Sequence, residues 1–540
     1  MSAEPPSAAI IVTYDASREV HREPPAYYKV VGSVAHHNGT PSFSDVAVLL
    51  DSDTDATPGQ LVCVWHGRRG SGLLTVVQVE DCVERNPNEE PDLATARRRL
   101  GLGDSYSTEE FSTRIHRLAL CRTIEELTVE EGPDSVSLKE TRAPEALARA
   151  GDPVVLLPED FVAAVLGSLP RPEDGIHVGD LYGPQSPPIA LKPVAAQLHL
   201  GVFGNPGRGK SYLAGNIVEE LHAWGVPCLI VDVNGEMAGA VRELGGTSIT
   251  LPNPDAFGLS LSLITPRELV SIAPNVAEGT QYAELIEEAH SRLRGRASRD
   301  GEQISFNQLI AEMERLGPDL ELKKMSITAA VSRVRYLSSN PLIGRNFDFI
   351  KELQQRRVIA LDCRFLSLRD TQLIAAAAAR VLQQHGRSMS QKAEAGDAAA
   401  AEWFATLLID EAHMIVPGDD RTVSTQVIYE LARMGRHVRT GLILASQSPA
   451  DLDQSVLKRL QTRFIFALER DQLRSIGGVA ADLGERLLAA IPKLPRGVCA
   501  VSGVSEVVNH GFLMKVRERR TSVGGSTPTV FSRRRKRVNR

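Results

Sequence analysis

Hydrophobic positions change their spacing near residue 170 and divide the chain into two regions. In the first region, short apolar runs rich in β-branched residues alternate with turn signals at residues 37–39, 51–53 and 67–70. Short strands separated by tight turns are typical of antiparallel structure, so residues 1–170 are predicted to form a small N-terminal β-barrel. The strand candidates are residues 28–34, 46–50, 60–66, 73–79 and 154–157.

Beyond residue 194, apolar runs alternate with helical stretches, which is the pattern of a parallel α/β sheet. The stretch 211–224 has Leu213, Ile217, Leu221 and Trp224 on one helical face, so it is expected to pack on that sheet. The pattern therefore predicts an α/β domain over residues 194–520. Its strand candidates are residues 198–203, 227–232, 357–362, 405–410, 441–447, 463–468 and 497–501.

Four further segments complete the predicted organisation. Residues 171–193 are rich in Pro and Gly and are predicted to be a linker. Charged and apolar residues alternate at helical spacing between about 266 and 340, which predicts a helical insert that forms a separate small bundle. Residues 389–401 have the composition of a flexible surface excursion, and residues 521–540 form a basic C-terminal tail.

One glycine-rich segment carries a chemical signature. Residues 204–211 read G-N-P-G-R-G-K-S, which fits the P-loop pattern G-x-x-x-x-G-K-[ST] between an apolar run and an amphipathic stretch. Such a loop turns a strand into a helix and directs backbone N–H groups and the helix dipole at one point, where a triphosphate binds. The residues predicted to bind nucleotide are Gly204, Asn205, Pro206, Gly207, Arg208, Gly209, Lys210, Ser211 and Tyr212.

A second apolar run ends in two acids. Residues 405–411 read A-T-L-L-I-D-E, as expected of a buried parallel strand whose carboxyl end opens on a ligand crevice, and they resemble a Walker B strand. Asp410 is expected to hold Mg²⁺ beside the hydroxyl of Ser211. Glu411 is expected to orient and deprotonate the attacking water. The sequence therefore predicts an α/β P-loop NTPase that hydrolyses a nucleoside triphosphate with Mg²⁺.

Composition sets the outer bounds of the interpretation. The chain has 540 residues, 42% of them hydrophobic, and a formal net charge of −6, which leaves room for positive charge confined to a channel. No apolar stretch reaches the roughly 20 residues of a membrane span. The six cysteines lack C-x-x-C spacing, so we expect reduced thiols, no zinc site and a cytoplasmic protein. With 5% aromatic residues, any DNA binding is expected to be to the backbone.

The ordered motifs resemble those of the HerA-FtsK ATPases, and most closely those of the HerA branch. They are F-G-N-P-G-R-G-K-S at 203–211, I-V-D-V-N-G-E at 230–236, L-I-D-E-A-H at 408–413, and G-R-H at 435–437 leading into L-I-L-A-S-Q-S-P at 442–449. Residues 31–34 and 58–62 are similar to the HerA barrel domain, and the helical insert is included in the resemblance. Pro206 and Arg208 depart from the small residues that this family often has in its P-loop.

The resemblance implies a RecA-like sheet and a homohexameric ring that hydrolyses ATP at subunit interfaces and pulls duplex DNA through its channel. Lys210 and Ser211 take the phosphate and metal roles, and Gln447 falls where the family has a sensor of the γ-phosphate. Arg436 falls where the family has an arginine finger supplied in trans, with Arg433 and Arg439 as competing candidates and a surface ion pair of Arg436 as the remaining alternative. The predicted catalytic residues are Glu411, Arg436, Gln447 and Lys210, and the predicted metal ligands are Ser211 and Asp410.

Three residues and the basic tail keep alternative interpretations. Asp232 and Glu236 are each expected either to face the nucleotide or the neighbouring subunit, or to cap a turn. His413 is expected to be structural or to relay between nucleotide and DNA. The run 532–537 is expected to be solvated, or to contact phosphates or a neighbouring subunit.

Three functions fit the motifs. The first is a hexameric DNA translocase or helicase that works with a separate nuclease or effector subunit, in DNA end processing or anti-phage defence. The second is a ring scaffold whose ATP cycle gates an attached nuclease or NAD-consuming, sirtuin-like effector with little translocation. The third is a secretion-coupling motor of the related VirB4 type, which the lack of a membrane-spanning sequence disfavours.

Overall fold

The chain folds into two compact units, the first ending at Val165 and the second beginning at Leu166. The computed structural model describes residues 23–37, 40–51, 54–67, 72–85, 116–132, 135–300, 303–420, 422–504 and 506–522. Parts of the turn signals at 37–39, 51–53 and 67–70 lie outside the described residues, as does the tail from residue 523 onward with its basic run 532–537.

The N-terminal unit is an antiparallel sheet whose strand pairing closes on itself. Its strand order is β2-β1-β7-β3-β4-β5-β6, and β2 also pairs with β5, so six strands form a continuous ring of pairs. Alternate valines, including Val48, Val64, Val79 and Val154, face a common core. Similarity of this unit to the HerA barrel stays a prediction. The strands are β1 (Val30–Ala35), β2 (Asp45–Leu50), β3 (Leu61–Trp65), β4 (Leu73–Arg85), β5 (His116–Glu131), β6 (Val136–Arg142) and β7 (Pro153–Leu156).

The second unit is built on one mixed sheet of 11 strands in the order β12-β13-β11-β14-β15-β10-β16-β17-β18-β8-β9. The first seven are parallel and the remaining pairs are antiparallel. The sheet is therefore mixed: β17, predicted over residues 497–501 as part of a parallel sheet, pairs antiparallel with β16, and β18, β8 and β9 continue the antiparallel part. The strands are β8 (Ile176–Leu181), β9 (Pro188–Leu191), β10 (Leu200–Phe203), β11 (Cys228–Asp232), β12 (Thr247–Thr250), β13 (Val358–Asp362), β14 (Ala405–Ile409), β15 (Thr440–Ser446), β16 (Thr462–Ile465), β17 (Val498–Ser502) and β18 (Phe512–Val516).

Helices follow most of the parallel strands, and four of them form the predicted insert. Capping boxes begin the first insert helix at Thr265 and the third at Ser305. Among the described residues, no helix combines the length and the hydropathy needed to cross a membrane. The helices are α1 (Glu159–Leu166), α2 (Val194–Gln197), α3 (Lys210–Ala223), α4 (Ala238–Glu243), α5 (Pro266–Ile272), α6 (Gln281–Asp300), α7 (Phe306–Asp319), α8 (Lys324–Leu337), α9 (Phe349–Arg356), α10 (Leu368–Glu394), α11 (Ala398–Glu402), α12 (Ala412–Ile415), α13 (Val423–Met434), α14 (Gln454–Leu457), α15 (Arg470–Gly477) and α16 (Glu485–Ala490).

Two segments differ from their predicted form. The segment 171–193, predicted as a linker, instead supplies β8 and β9, because Ile176, Val178 and Leu181 are buried and β8 pairs with β18. The segment 389–401, predicted as a flexible excursion, continues α10 to Glu394 and includes most of α11. Its Ala, Gln, Lys and Glu residues are strong helix formers, which outweighs its low-complexity character.

Close packing of α2 on β15 gives a test of the fold. A Cβ added at Gly441 would lie 2.2 Å from the carbonyl oxygen of Ala196, so Gly441→Ala is expected to destabilise the chain by about 1–3 kcal/mol. Gly477, in α15, has no heavy atom within 4 Å of such a Cβ. Gly477→Ala is therefore expected to be neutral or stabilising by up to about 1 kcal/mol. Urea unfolding of both variants measures the difference, and equal midpoints would contradict the packing.

Candidate active site

The predicted P-loop lies at the carboxyl edge of the parallel sheet. Strand β10 pairs in parallel with β15 and β16, with Phe203 opposite Ser446 and Ile465. The chain then leaves the sheet through residues 204–209 and enters α3 at Lys210. The first N–H groups of a helix have no partner within it, so the beginning of α3 presents donors and a positive dipole end to an anion.

Glycine is required at three positions of this loop. Gly207 and Gly209 have φ angles of 72° and 127°, in the left-handed region where a side chain is strained. At Gly204 a Cβ would lie 2.6 Å from the Cβ of Phe466. Phe466, just beyond β16, therefore forms a wall behind the loop, a contact for which the sequence carried no signal.

Lys210 lies at the base of the loop among acidic groups. It is only 6% exposed. Burial lowers the pKa of the Lys210 ammonium, and the nearby charges of Glu411, Asp410 and Glu236 oppose this shift. The P-loop lysine and the two acids of the second motif, 200 positions apart in the sequence, are thus brought within electrostatic reach of one another.

Asp410 lies directly after β14, within electrostatic reach of three other carboxylates. Its side chain is buried, and burial together with the charges of Glu411, Asp232 and Glu236 raises its pKa to about 7. Carboxylates held this close repel one another unless a cation or protons intervene. This donor set fits Mg²⁺, a hard cation that prefers carboxylate and hydroxyl oxygens. The hydroxyl of half-buried Ser211 stands in the first turn of α3.

Glu411 is held in one orientation by two amide groups. Its backbone adopts a left-handed φ of 46° before α12. Its Oε1 accepts hydrogen bonds from Asn234 Nδ2 at 3.2 Å and from Gln447 Nε2. Its Oε2 is buried without a hydrogen-bond partner. A buried carboxylate oxygen without a hydrogen-bond donor is costly, and such an oxygen favours binding a proton or a donor.

Of the residues with open interpretations, Asp232 has a clear structural role. Its Oδ1 accepts the Glu236 N–H at 3.0 Å and its Oδ2 the Met237 N–H at 2.8 Å, so it caps the loop after β11. Burial raises its pKa to about 6. His413 Nδ1 lies 3.1 Å from Ser446 Oγ and 3.6 Å from Glu411 Oε2, so it has a structural partner and also borders the site.

Arg436 is separated from the P-loop of its own chain. It follows α13 and precedes Thr440, the first residue of β15, so it lies at the amino edge of the sheet. The seven residues of β15 span roughly 23 Å at 3.3 Å per residue. Arg436 Nη2 pairs with Glu506 Oε2 at 2.5 Å, and half of its side chain is exposed. Arg433 and Arg439 lie at the same edge, and Arg439 donates to the Ala401 carbonyl.

The segment after β18 packs on the P-loop helix, a contact that sequence reasoning missed. The Arg519 N–H donates to the Tyr212 hydroxyl at 2.6 Å, and Arg519 Nη1 lies 3.5 Å from the Ser211 carbonyl. Buried Glu219 of α3 accepts from Arg517 and from the Thr521 N–H. Tyr212, predicted to bind nucleotide, is thus engaged by the C-terminal segment. No local motif marks that segment, because its partners lie about 300 positions away.

Comparison with known proteins identifies a related family. Residues 176–382 match the central domain of the HerA helicase family. The DNA double-strand break repair helicase HerA of Sulfolobus acidocaldarius is 24% identical over 71% of this chain and 76% of that protein. The HerA of Sulfurisphaera tokodaii is 21% identical over the same shares of both chains. The structure of VirB4 of Thermoanaerobacter pseudethanolicus is 15% identical, has a TM-score of 0.47, and covers 64% of this chain and 97% of that one.

The raised pKa of Asp410 gives a test by pH. In the unfolded chain Asp410 loses its proton above its ordinary pKa near 4, whereas in the folded chain it keeps the proton up to about pH 7. The contribution of Asp410 to the free energy of unfolding therefore falls as the pH rises between these two values. Asp410→Asn removes this penalty. The free energy of unfolding of the Asp410→Asn variant, relative to that of the nucleotide-free wild type, should therefore rise by roughly 1.4 kcal/mol per pH unit over that range. Urea unfolding between pH 4 and pH 8 measures it.

Asp362 is the matched contrast. Burial would raise its pKa, but hydrogen bonds and charge from Arg364 outweigh burial and lower it below its usual value. Its contribution is therefore present above pH 4 and lost on acidification. Asp362→Asn should be less stable than the wild type at neutral pH, with the difference shrinking in acid. Parallel pH curves for both variants would contradict the assigned shifts.

Proposed function

We propose that this protein, which belongs to the HerA-type ATPases of the HerA-FtsK P-loop superfamily, is an ATP hydrolase. In this proposal it translocates on duplex DNA as a hexameric ring. The observation that carries the proposal is the constellation at the sheet edge. There the P-loop lysine lies among the acids of the second motif, and one oxygen of Glu411 has no hydrogen-bond partner. This is the arrangement that phosphoryl transfer to water requires.

In the proposed site, N–H groups of residues 204–211 and the Lys210 ammonium bind the phosphates. Asp410 and Ser211 would hold Mg²⁺, which when bound supplies positive charge to the phosphate oxygens. Glu411 Oε2 accepts the proton of the attacking water. Gln447 donates to Glu411, so it stands where it can couple the base to the γ-phosphate.

Arg436 is proposed to act on the nucleotide of a neighbouring subunit. Its position at the amino edge of its own sheet supports this role, because the P-loop of the same chain is at the opposite edge. A ring brings one subunit's amino edge to the next subunit's pocket. An arginine supplied in this way stabilises transition-state charge and raises the rate by about 10³ to 10⁵.

The biological setting is part of the same proposal. The S. acidocaldarius relative is described as a DNA double-strand break repair helicase. We therefore propose that the closed N-terminal sheet is a HerA-type barrel, and that the ring acts in the cytoplasm with a separate nuclease or effector, in DNA end processing or anti-phage defence.

Duplex DNA is expected to stimulate ATP hydrolysis by the wild-type chain. Because contacts to phosphates release counterions, raising salt from about 50 to about 200 mM should remove most of the stimulation. Lys210→Ala should abolish nucleotide binding. Glu411→Gln should retain ATP and stop turnover, since its carboxamide cannot accept the proton. Phosphate release and equilibrium nucleotide binding measure these effects.

The outcomes separate the alternatives. Glu411→Gln with wild-type turnover would refute Glu411 as the base. Turnover that is unaffected by long duplex DNA, with Glu411→Gln inactive, would favour a ring scaffold that gates an effector.

Mixed rings test the trans arginine. Arg436→Ala should bind ATP normally and lose about 10³-fold in turnover. Mixing it with Glu411→Gln subunits should restore part of the activity, because an Arg436→Ala subunit keeps its base and receives the arginine of its neighbour. Arg433→Ala and Arg439→Ala, mixed in the same way, are the controls. Rings that remain inactive at every mixing ratio would assign the pocket to a single subunit.

A further inference from the structure

We propose that Asn234 is a positioning residue for Glu411, whose carboxamide holds Oε1 so that Oε2 is directed at the attacking water. The inference rests on the proposed role of Glu411 as the base. Asn234 lies in the loop after β11, 177 positions before Glu411, and its Nδ2 is 3.2 Å from Glu411 Oε1. In its motif, I-V-D-V-N-G-E, the sequence indicated a role for the acids Asp232 and Glu236 and none for the amide of Asn234.

The distribution of donors on the carboxylate decides the direction of the effect. A carboxylate oxygen has two lone pairs, and Oε1 of Glu411 receives two amide donors, from Asn234 and Gln447. Oε1 is therefore saturated, whereas buried Oε2 has no hydrogen-bond partner; His413 Nδ1 lies 3.6 Å from it, beyond hydrogen-bond distance. Because only Oε2 can accept from water, the two amides fix the carboxylate in a productive orientation.

The loop that carries Asn234 is itself held on both sides. Asp232 accepts the N–H groups of Glu236 and Met237, which closes the loop behind Asn234. Gly235 has a φ of 70°, and a Cβ there would lie 2.4 Å from Arg364 Nε. Arg364 is in turn paired with Asp362, with Nη2 and Oδ2 2.6 Å apart. An exposed asparagine is thus presented by a loop that is held by a buried carboxylate and by a guanidinium paired with Asp362, as a positioning role requires.

Asparagine suits this position because it donates without carrying charge. An aspartate of the same shape would lose the donor and set a second negative charge against Glu411. The isosteric replacement therefore separates the hydrogen bond from packing. Asn234 is exposed, so its replacement is expected to leave the fold intact.

The experiment compares Asn234→Asp and Asn234→Ala with the wild-type full chain in ATP hydrolysis with duplex DNA. Losing one hydrogen bond to an ionised group should lower kcat about ten- to a hundredfold, with Asn234→Asp at least as severe as Asn234→Ala. Affinity for a fluorescent ATP analogue and the unfolding midpoint should remain at wild-type values.

Asn340→Asp is the matched control. Asn340 lies in the region of the helical insert, and its Oδ1 accepts the Leu342 N–H at 2.9 Å, a bond that aspartate retains. The same change of charge there should leave kcat unchanged.

Three results would overturn the inference. Asn234→Asp with wild-type kcat, while Glu411→Gln is inactive, would remove the role of Asn234 and leave the proposed function standing. Faster turnover of both variants would mean that the contact with Asn234 holds Glu411 in an unproductive orientation. Equal loss of kcat and nucleotide affinity would make it purely structural. Wild-type turnover by Glu411→Gln would instead refute the proposed function itself.

Discussion

The parallel register of four central strands is the constraint on which the site depends. Strand β14 has Ile409 opposite Val231 of β11 and Leu444 of β15, and β15 has Ser446 opposite Phe203 of β10. The residues that follow these strand ends must therefore emerge along one edge of the sheet. The P-loop, the two acids and the polar groups that orient them meet there because the backbone pairing leaves them no other place.

The same edge concentrates electrostatic energy that a ligand can release. Three neighbouring carboxylates and burial act together on Asp410, while Lys210 is desolvated in the same region. A polyanion bound with a divalent cation supplies the missing charges on both sides: phosphate for the lysine and metal for the carboxylates. The close charges that make the site unfavourable on its own are thus those that the proposed magnesium nucleotide would neutralise.

Sequence patterns predicted the elements that carry their own signal. The central strands of the parallel sheet were predicted within a few residues, because strands buried on both faces read as continuous apolar runs. Strands β8, β9, β12 and β18 of the second unit were missed, since they are short and tertiary pairing decides them. Strands β5 and β6 of the first unit were also missed, because charged residues, which are uncommon in strands, interrupt their apolar pattern. The spacing of glycines and acids indicated the candidate site. It could not indicate Asn234, Phe466 or Arg519, whose importance comes from contacts far apart in the sequence. The trans role of Arg436 stays a prediction, since the structure of a single chain shows where Arg436 lies in its own subunit and not which residues of a neighbouring subunit it contacts.

The interleaving of strands has a consequence for how this ATPase unit can be divided. The segment that matches the HerA central domain, 176–382, contains β10 and β11, yet these strands are not neighbours. Between them lie β14 and β15, which the chain reaches only after residue 404. A protein shortened to the matched segment would leave a two-strand gap in the middle of its sheet, with unpaired backbone N–H and C=O groups of β10 and β11 on its two sides. The segment that carries the family signature is therefore shorter than the segment that can fold. A truncated or recombined protein has to keep the longer segment, which includes β14 and β15.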